Sequence, residues 1–302
     1  MSRVDGPEGT SGLFRLASLG GPQAPAERPT TFLVLSEDDS RHTVAAVEAL
    51  LRSLLLHVDP RCRPDRLRFE PVNDEARSAV SLHDFTDRRR NIDRARLHRN
   101  ILETLMSDGF VVLHIDAERR WGDRTADPSE KVERLQRHVV AHVRVGLEGV
   151  LRRQHPGLDD AELRARIDAR MARFFRLVAY WQLESWLYQN SERARALCLA
   201  NPACRGGHVE LMATWAADRG LLDETPCPAQ MVCFGKPQHR GLLDNYPTAA
   251  VVAASKSLAQ FVETLRASEA LQDALRRTHR SEADPPPTPA PDPEPEVELE
   301  LE

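Results

Sequence analysis

Six acidic side chains stand where apolar segments of the chain end. Glu37, Asp38 and Asp39 follow the run at 31–36, Asp116 and Glu118 straddle the end of 110–115, and Glu184 closes a third run. If those runs are parallel strands, their carboxyl ends share one edge of the sheet, the edge where open α/β folds bind ligands. Carboxylates crowded there repel one another, and a divalent cation neutralises the set. Hard oxygen ligands, read here with no histidine or thiolate among them, favour Mg²⁺ or Mn²⁺ over Zn²⁺. Such ions serve phosphoryl transfer by polarising the phosphate, activating water and stabilising the leaving oxygen. The plainer alternative is that an acid after a strand caps the following helix, a role open to Asp39 or Ser40.

Other chemistry-bearing residues surround this set. Only three of the 41 cationic side chains are lysine, so Lys236 and Lys256 stand out. A lysine beside such a site stabilises developing negative charge, and the alternative is a solvated surface lysine. The basic run Arg88, Arg89 and Arg90, with Arg94, Arg96 and Arg99 after it, suits a nucleic-acid backbone or equally a solvated face. Trp181 and Trp186 flank Glu184 and read as core packing ahead of a base-stacking platform. His138 and His142 have a metal-pair spacing but lack the accompanying glutamate, so they read as surface residues. Five cysteines at wide spacings read as reduced thiols.

The elements that must carry these residues alternate. Residues 31–36 form a continuous apolar run, the pattern of a strand buried on both faces. Helical spacing follows from Thr43 until Pro60. A second strand at 67–72, a helix at 93–106 and a third strand at 110–115 complete a β-α-β-α-β order, which means a parallel sheet. Next come two arginine-rich helices. Residues 127–130 read as a capping signature with proline at the first helical position, and Asp159 with Glu162 starts the second helix. The spacing then predicts a strand at 178–183, a helix at 184–200, loop at 220–248 and one last helix at 256–278.

The order of acidic blocks resembles the TOPRIM-like families, in particular a bacterial branch found among restriction and phage-defence genes. The blocks are Leu35-Ser-Glu-Asp-Asp39, His114-Ile-Asp-Ala-Glu118 and Gln182-Leu-Glu-Ser-Trp-Leu187, joined by Gly235-Lys-Pro237 and Ser255-Lys-Ser-Leu-Ala259. The likeness extends over about 31–278 and implies a TOPRIM-like α/β fold. Its mostly parallel sheet would be flanked by helices, with an inserted Arg-rich helical hairpin at about 127–177. It also implies a metal-dependent nuclease of an anti-phage defence system acting on DNA or RNA with Mg²⁺ or Mn²⁺. Glu37 would be acid/base or metal ligand, Asp116 and Glu118 metal ligands, and Glu184 a further ligand or orienting group. Two positions depart from the family's pattern. Asp38 stands where it has glycine, and Glu118 where it has aspartate, which favours the alternative of a non-catalytic interaction subunit of a larger defence complex. A receiver domain also opens with an acidic pair, but the separation of Asp38 from Asp116 is too long for that compact fold.

Composition sets the remaining bounds. The net charge is −5, yet the stretch 281–302 holds eight acids, seven prolines and no base, which leaves +3 on the preceding 280 residues. A phosphate substrate is therefore not excluded by charge. Residues 1–30 read as an arm and 281–302 as an extended acidic tail, enclosing one α/β domain over 31–280. No apolar run is long enough to span a membrane and no secretory signal is evident, so a cytoplasmic protein is expected.

Overall fold

The computed structural model describes residues 29–38, 40–70, 72, 74–80, 91–201, 213, 215, 217–225 and 235–279. The proposed arm, the acidic tail, Asp39 and the run Arg88–Arg90 lie outside the described residues, apart from the arm's last two positions.

Among the described residues four strands form one sheet: β1 (Thr30–Ser36), β2 (Leu67–Glu70), β3 (Phe110–Asp116) and β4 (Phe174–Ala179). Their order is β2-β1-β3-β4 and every pairing is parallel. The central strands β1 and β3 are buried on both faces, as their unbroken apolar runs require. Phe32, Val34, Phe110 and Val112 face one core layer with α1 (Arg41–Val58) and the C-terminal helices Lys256–Ala267 and Glu269–Arg277. Leu33, Leu35, Val111, Leu113 and Ile115 face the other, against α3 (Asn91–Met106) and the helices that follow β3. The short α2 (Asp74–Ser78) precedes α3.

From β3 the chain enters α4 (Glu130–Leu135), passes through a π-helical turn at Gln136–Val140 and continues as α5 (Ala141–Gln154). In that turn the Ala141 N–H donates to Gln136 O. The helix α6 (Asp160–Met171) returns to β4, started by the expected capping box of Asp159 and Glu162. The Arg-rich pair is thus the β3–β4 crossover itself. Val143, Leu147, Leu151, Leu163 and Ile167 pack on the sheet. Outward arginines pair with acids, as in Arg144 with Asp168 and Arg152 with Glu148 and Asp160.

Several boundaries differ from the sequence reading. The fourth strand begins at Phe174, four residues before the expected 178. As an edge strand it alternates buried Phe175 and Leu177 with exposed Arg176, so it lacks the continuous apolar run that marks its neighbours. The helix expected at 184–200 divides into α7 (Leu183–Leu187) and α8 (Ser191–Ala200). Asn190 makes the break, donating to Leu242 O and Asp244 O at 2.8 Å each. The last helix is broken at Ser268, which ends one segment and caps the next. Short helices at Arg219–Leu221, Lys236–His239 and Arg240–Leu243 occupy parts of the expected loop, and another at Thr248–Ala254 starts where that loop ends. Ser129 is the N-cap residue of α4, so Pro128 lies outside the first turn, and the Ser129 hydroxyl donates to Ala117 O at 2.9 Å.

Candidate active site

The carboxyl ends of β1 and β3 lie side by side because Ser36 and His114 share a register position. The Glu37 N–H extends that pairing by donating to His114 O at 3.1 Å. Beyond the strands a cleft of about 390 Å³ opens, lined by Glu37, Asp38, Asp116, Glu118, Lys131 and Arg134 among others. Glu37, Asp38, Asp116 and Glu118, the described acids of the first two blocks, therefore do meet at one edge of the sheet.

Each has a distinct environment. Burial first, and then the neighbouring charge of Asp116, push the Glu37 carboxyl above its ordinary 4.5, against the pull of Lys131. Asp116 accepts the Leu183 N–H at 2.8 Å, which ties the end of β3 to the start of α7. Glu184, on that helix, is likewise raised by burial and by Asp116. Asp38 behaves oppositely. Burial alone would raise it, but Lys236, the Ser40 N–H at 2.9 Å and the Thr43 hydroxyl at 2.9 Å together hold it below 3.8. Glu118 is more than half exposed and sits at φ 52°, a left-handed backbone that strains a non-glycine residue and turns the chain away from β3.

Three participants were not assigned from sequence. Lys131, from the first turn of α4, donates to Glu37 Oε1 at 3.1 Å and Glu118 Oε1 at 2.7 Å. His114 is fully buried beneath the carboxylates, with Ser36 Oγ 3.0 Å from Nδ1 and Asp116 Oδ1 3.2 Å from Nε2, the latter off the line of a good hydrogen bond. Burial opposes protonation of this ring, yet Asp116, Glu37 and Glu184 outweigh it and raise it above 6.5. His239 is buried 3.8 Å from Glu184 with no hydrogen-bond partner for Nδ1, and burial and Lys236 push it down to about 4. The donor set is therefore not histidine-free, as the sequence reading had it. A signal for His114 was available: a histidine two residues before Asp116 in an otherwise apolar strand must share that residue's face.

The other candidates fall elsewhere. Lys236 joins the site through Asp38, whereas Lys256 pairs with Glu224 at 3.0 Å. Trp186 is core, its indole N–H donating to Ser255 Oγ at 3.1 Å. His142 stacks on His98 with ring centroids 5.4 Å apart. Cys62 and Cys198 are free and buried.

The residues fit a hydrated hard cation better than a closed metal cage. Among the described residues no three His, Cys, Asp or Glu side chains are arranged to hold an ion as they stand. Mg²⁺ and its like keep several waters and need only one or two carboxylates plus substrate oxygens. Glu37 and Asp116 supply such a pair, and a cation would offset the Asp116 charge that, after burial, raises the Glu37 carboxyl.

Searched against protein-family models the chain matches none, and no curated protein and no solved structure matches it either. Among the described residues no helix is long and apolar enough to cross a membrane. What the fold defines is an α/β protein with a four-stranded, all-parallel sheet flanked by helices.

Proposed function

We infer that this chain is a TOPRIM-like, Mg²⁺- or Mn²⁺-dependent nuclease that hydrolyses phosphodiester bonds in DNA or RNA. The observation that carries the reading is the meeting of Glu37 and Asp116 at the ends of adjacent parallel strands, within a cleft whose far wall is cationic through Lys131 and Arg134. A bound divalent ion would polarise the phosphate and lower the pKa of an attacking water. Asp116, which accepts the Leu183 N–H and has His114 beneath it, would hold that ion with Glu37. Glu118, Glu184 and Lys236 lie around this pair, and Lys131 is positioned to take a phosphate oxygen once the carboxylates are otherwise neutralised. An anti-phage defence setting, with a larger protein partner, follows from the resemblance of the acidic blocks alone, and a cytoplasmic location from the sequence's want of a spanning run or secretory signal.

The test is cleavage of plasmid and single-stranded substrates with Mn²⁺, comparing wild type with Asp116→Asn. Equal behaviour of the two across metals and substrates would sink the reading. One observation favours the alternative of a non-catalytic interaction subunit: Lys131 bridges Glu37 and Glu118, and Lys236 pairs with Asp38, so internal cations already serve three acids. Mn²⁺ separates the two readings, because a metal site gains thermal stability by mass action and a scaffold does not.

A further inference from the structure

The chain between β3 and α4 crosses the same edge as the cleft, and among its largely exposed residues it carries one large aromatic ring, Trp121. Trp121 is half-buried rather than packed into either core. Its ring meets Tyr180 edge to face, with centroids 4.9 Å apart and planes at 71°. The Arg124 guanidinium lies over the indole, 4.2 Å from its centroid, while Arg124 also donates to Trp121 O at 2.9 Å. The platform is anchored on both sides. Arg119 N–H donates to Tyr180 O at 2.7 Å, and Trp121 N–H to Asp223 O at 2.8 Å, Asp223 itself being buried. Arg119 lines the cleft together with Asp116 and Glu118, so the ring stands only a few residues along the chain from the carboxylates.

A ring tethered through its backbone, with a guanidinium over its face, is suited to a planar π-system that takes the guanidinium's place against the ring. Bases in a duplex already stack on one another and offer no free face, whereas unpaired bases do. Arg120 and Arg124 are exposed beside the ring, with Glu118, Asp123 and Asp127 as the acids of the same segment and Asp127 3.4 Å from Arg119. We propose that Trp121, backed by Tyr180 and covered by Arg124, is a stacking site for an unpaired base of a single-stranded nucleic acid whose backbone enters the carboxylate cleft. This inference rests on the nuclease reading for its substrate and narrows it to single strands.

The full chain is titrated, in EDTA so that no cleavage occurs, into fluorescein-labelled oligo-dT, oligo-U, an abasic oligonucleotide and a hairpin duplex of matched length. Anisotropy is expected to show preference for the base-bearing single strands. Trp121→Ala should weaken that binding about 5- to 150-fold, the range for loss of one stacked base, while Trp121→Phe retains most of it. Trp121→Leu, which keeps an apolar side chain against Tyr180 and so protects the local fold, should lose as much as the alanine variant. Trp121 dependence with oligo-dT alone, oligo-U alone or both supports the proposal. Unchanged single-strand binding by a folded Trp121→Leu, or equal losses on duplex and abasic strands, overturns it. Because no metal is present, the outcome is independent of hydrolysis. Base-dependent binding without Mn²⁺-dependent cleavage would leave this site standing and remove the nuclease reading, and cleavage with no Trp121 effect on binding would do the reverse.

Discussion

Around Asp38, a lysine, a backbone N–H and a hydroxyl all converge, and the carboxyl is held below its ordinary range; around its chain neighbour Glu37, burial and Asp116 work against ionisation and Lys131 is shared with Glu118. A third acid, Asp223, extends the contrast. It is buried between the 219–225 segment and the last helices, where it accepts the Ser257 N–H at 3.2 Å and the hydroxyls of Ser255 and Ser257. Acids with a full set of donors serve the fold, and acids left facing other acids are available for a ligand. The departure at Asp38, which from sequence threatens the site, is in these terms a helix-entry device: it binds Ser40 and Thr43 at the start of α1 and leaves Glu37 to face Asp116.

The largest expected effect breaks the ligand-facing half of this contrast. Asp116→Asn should reduce Mn²⁺-dependent cleavage by on the order of 10²–10³-fold or more while the protein stays folded, as measured by initial rates and thermal melting in parallel. Asp223→Ala tests the other half. It strands two serine hydroxyls and a backbone N–H in the core, so urea titration should show a loss of about 1–3 kcal/mol, with the Mn²⁺-induced melting shift unchanged.

Opposite pH dependences sharpen the difference between the neighbours. At Asp38 the folded value is lowered, so its stabilisation is present above 3.8 and is lost as pH falls through the lowered value. At Glu37 the folded value is raised, so the group favours folding below 4.5 and loses that contribution as pH rises through the raised value. Asp38→Asn should therefore melt earlier than wild type at neutral pH and converge with it in acid. Glu37→Gln should melt later at neutral pH, with the gap closing in acid, and a gap that widened in acid would contradict the assignment. The smallest effect belongs to Lys131→Met. Removing a partly exposed cation should cost about 0.5–1 kcal/mol without metal and enlarge the stabilisation gained from Mn²⁺.

Much of this arrangement was legible in the chain because β1 and β3 are buried on both faces, and an acid ending such a run has only the sheet edge to occupy. The edge strand β4 was harder to place, since half-exposure gives it an alternating pattern and Phe174 continues the apolar stripe of α6. Lys131 was invisible as a site residue for a different reason. Its approach to Glu37 crosses 94 residues of sequence and depends on where α4 starts after the long turn from β3, which local periodicity does not encode. Asn190 and Ser268 divide helices whose apolar spacing runs on across the break, so their side-chain bonds decide what the stripe does not.

The π-helical turn at Gln136–Val140 gives the cationic wall an angular dependence. Leu135, Val139, Val143, Leu147 and Leu151 are all buried and fall every fourth position. In an uninterrupted α-helix each such step overshoots a full turn by about 40°, so four steps would carry the stripe about 160° around the axis. One surplus residue in the wide turn takes back about 100° of that rotation and lets both halves of the helix face the sheet. The azimuth of Lys131 and Arg134 is thereby set by the wide turn that follows them. Shortening that turn by one residue would leave the apolar face of α5 seated while swinging the two cations about 100° away from the carboxylates, detuning the cleft by phase alone.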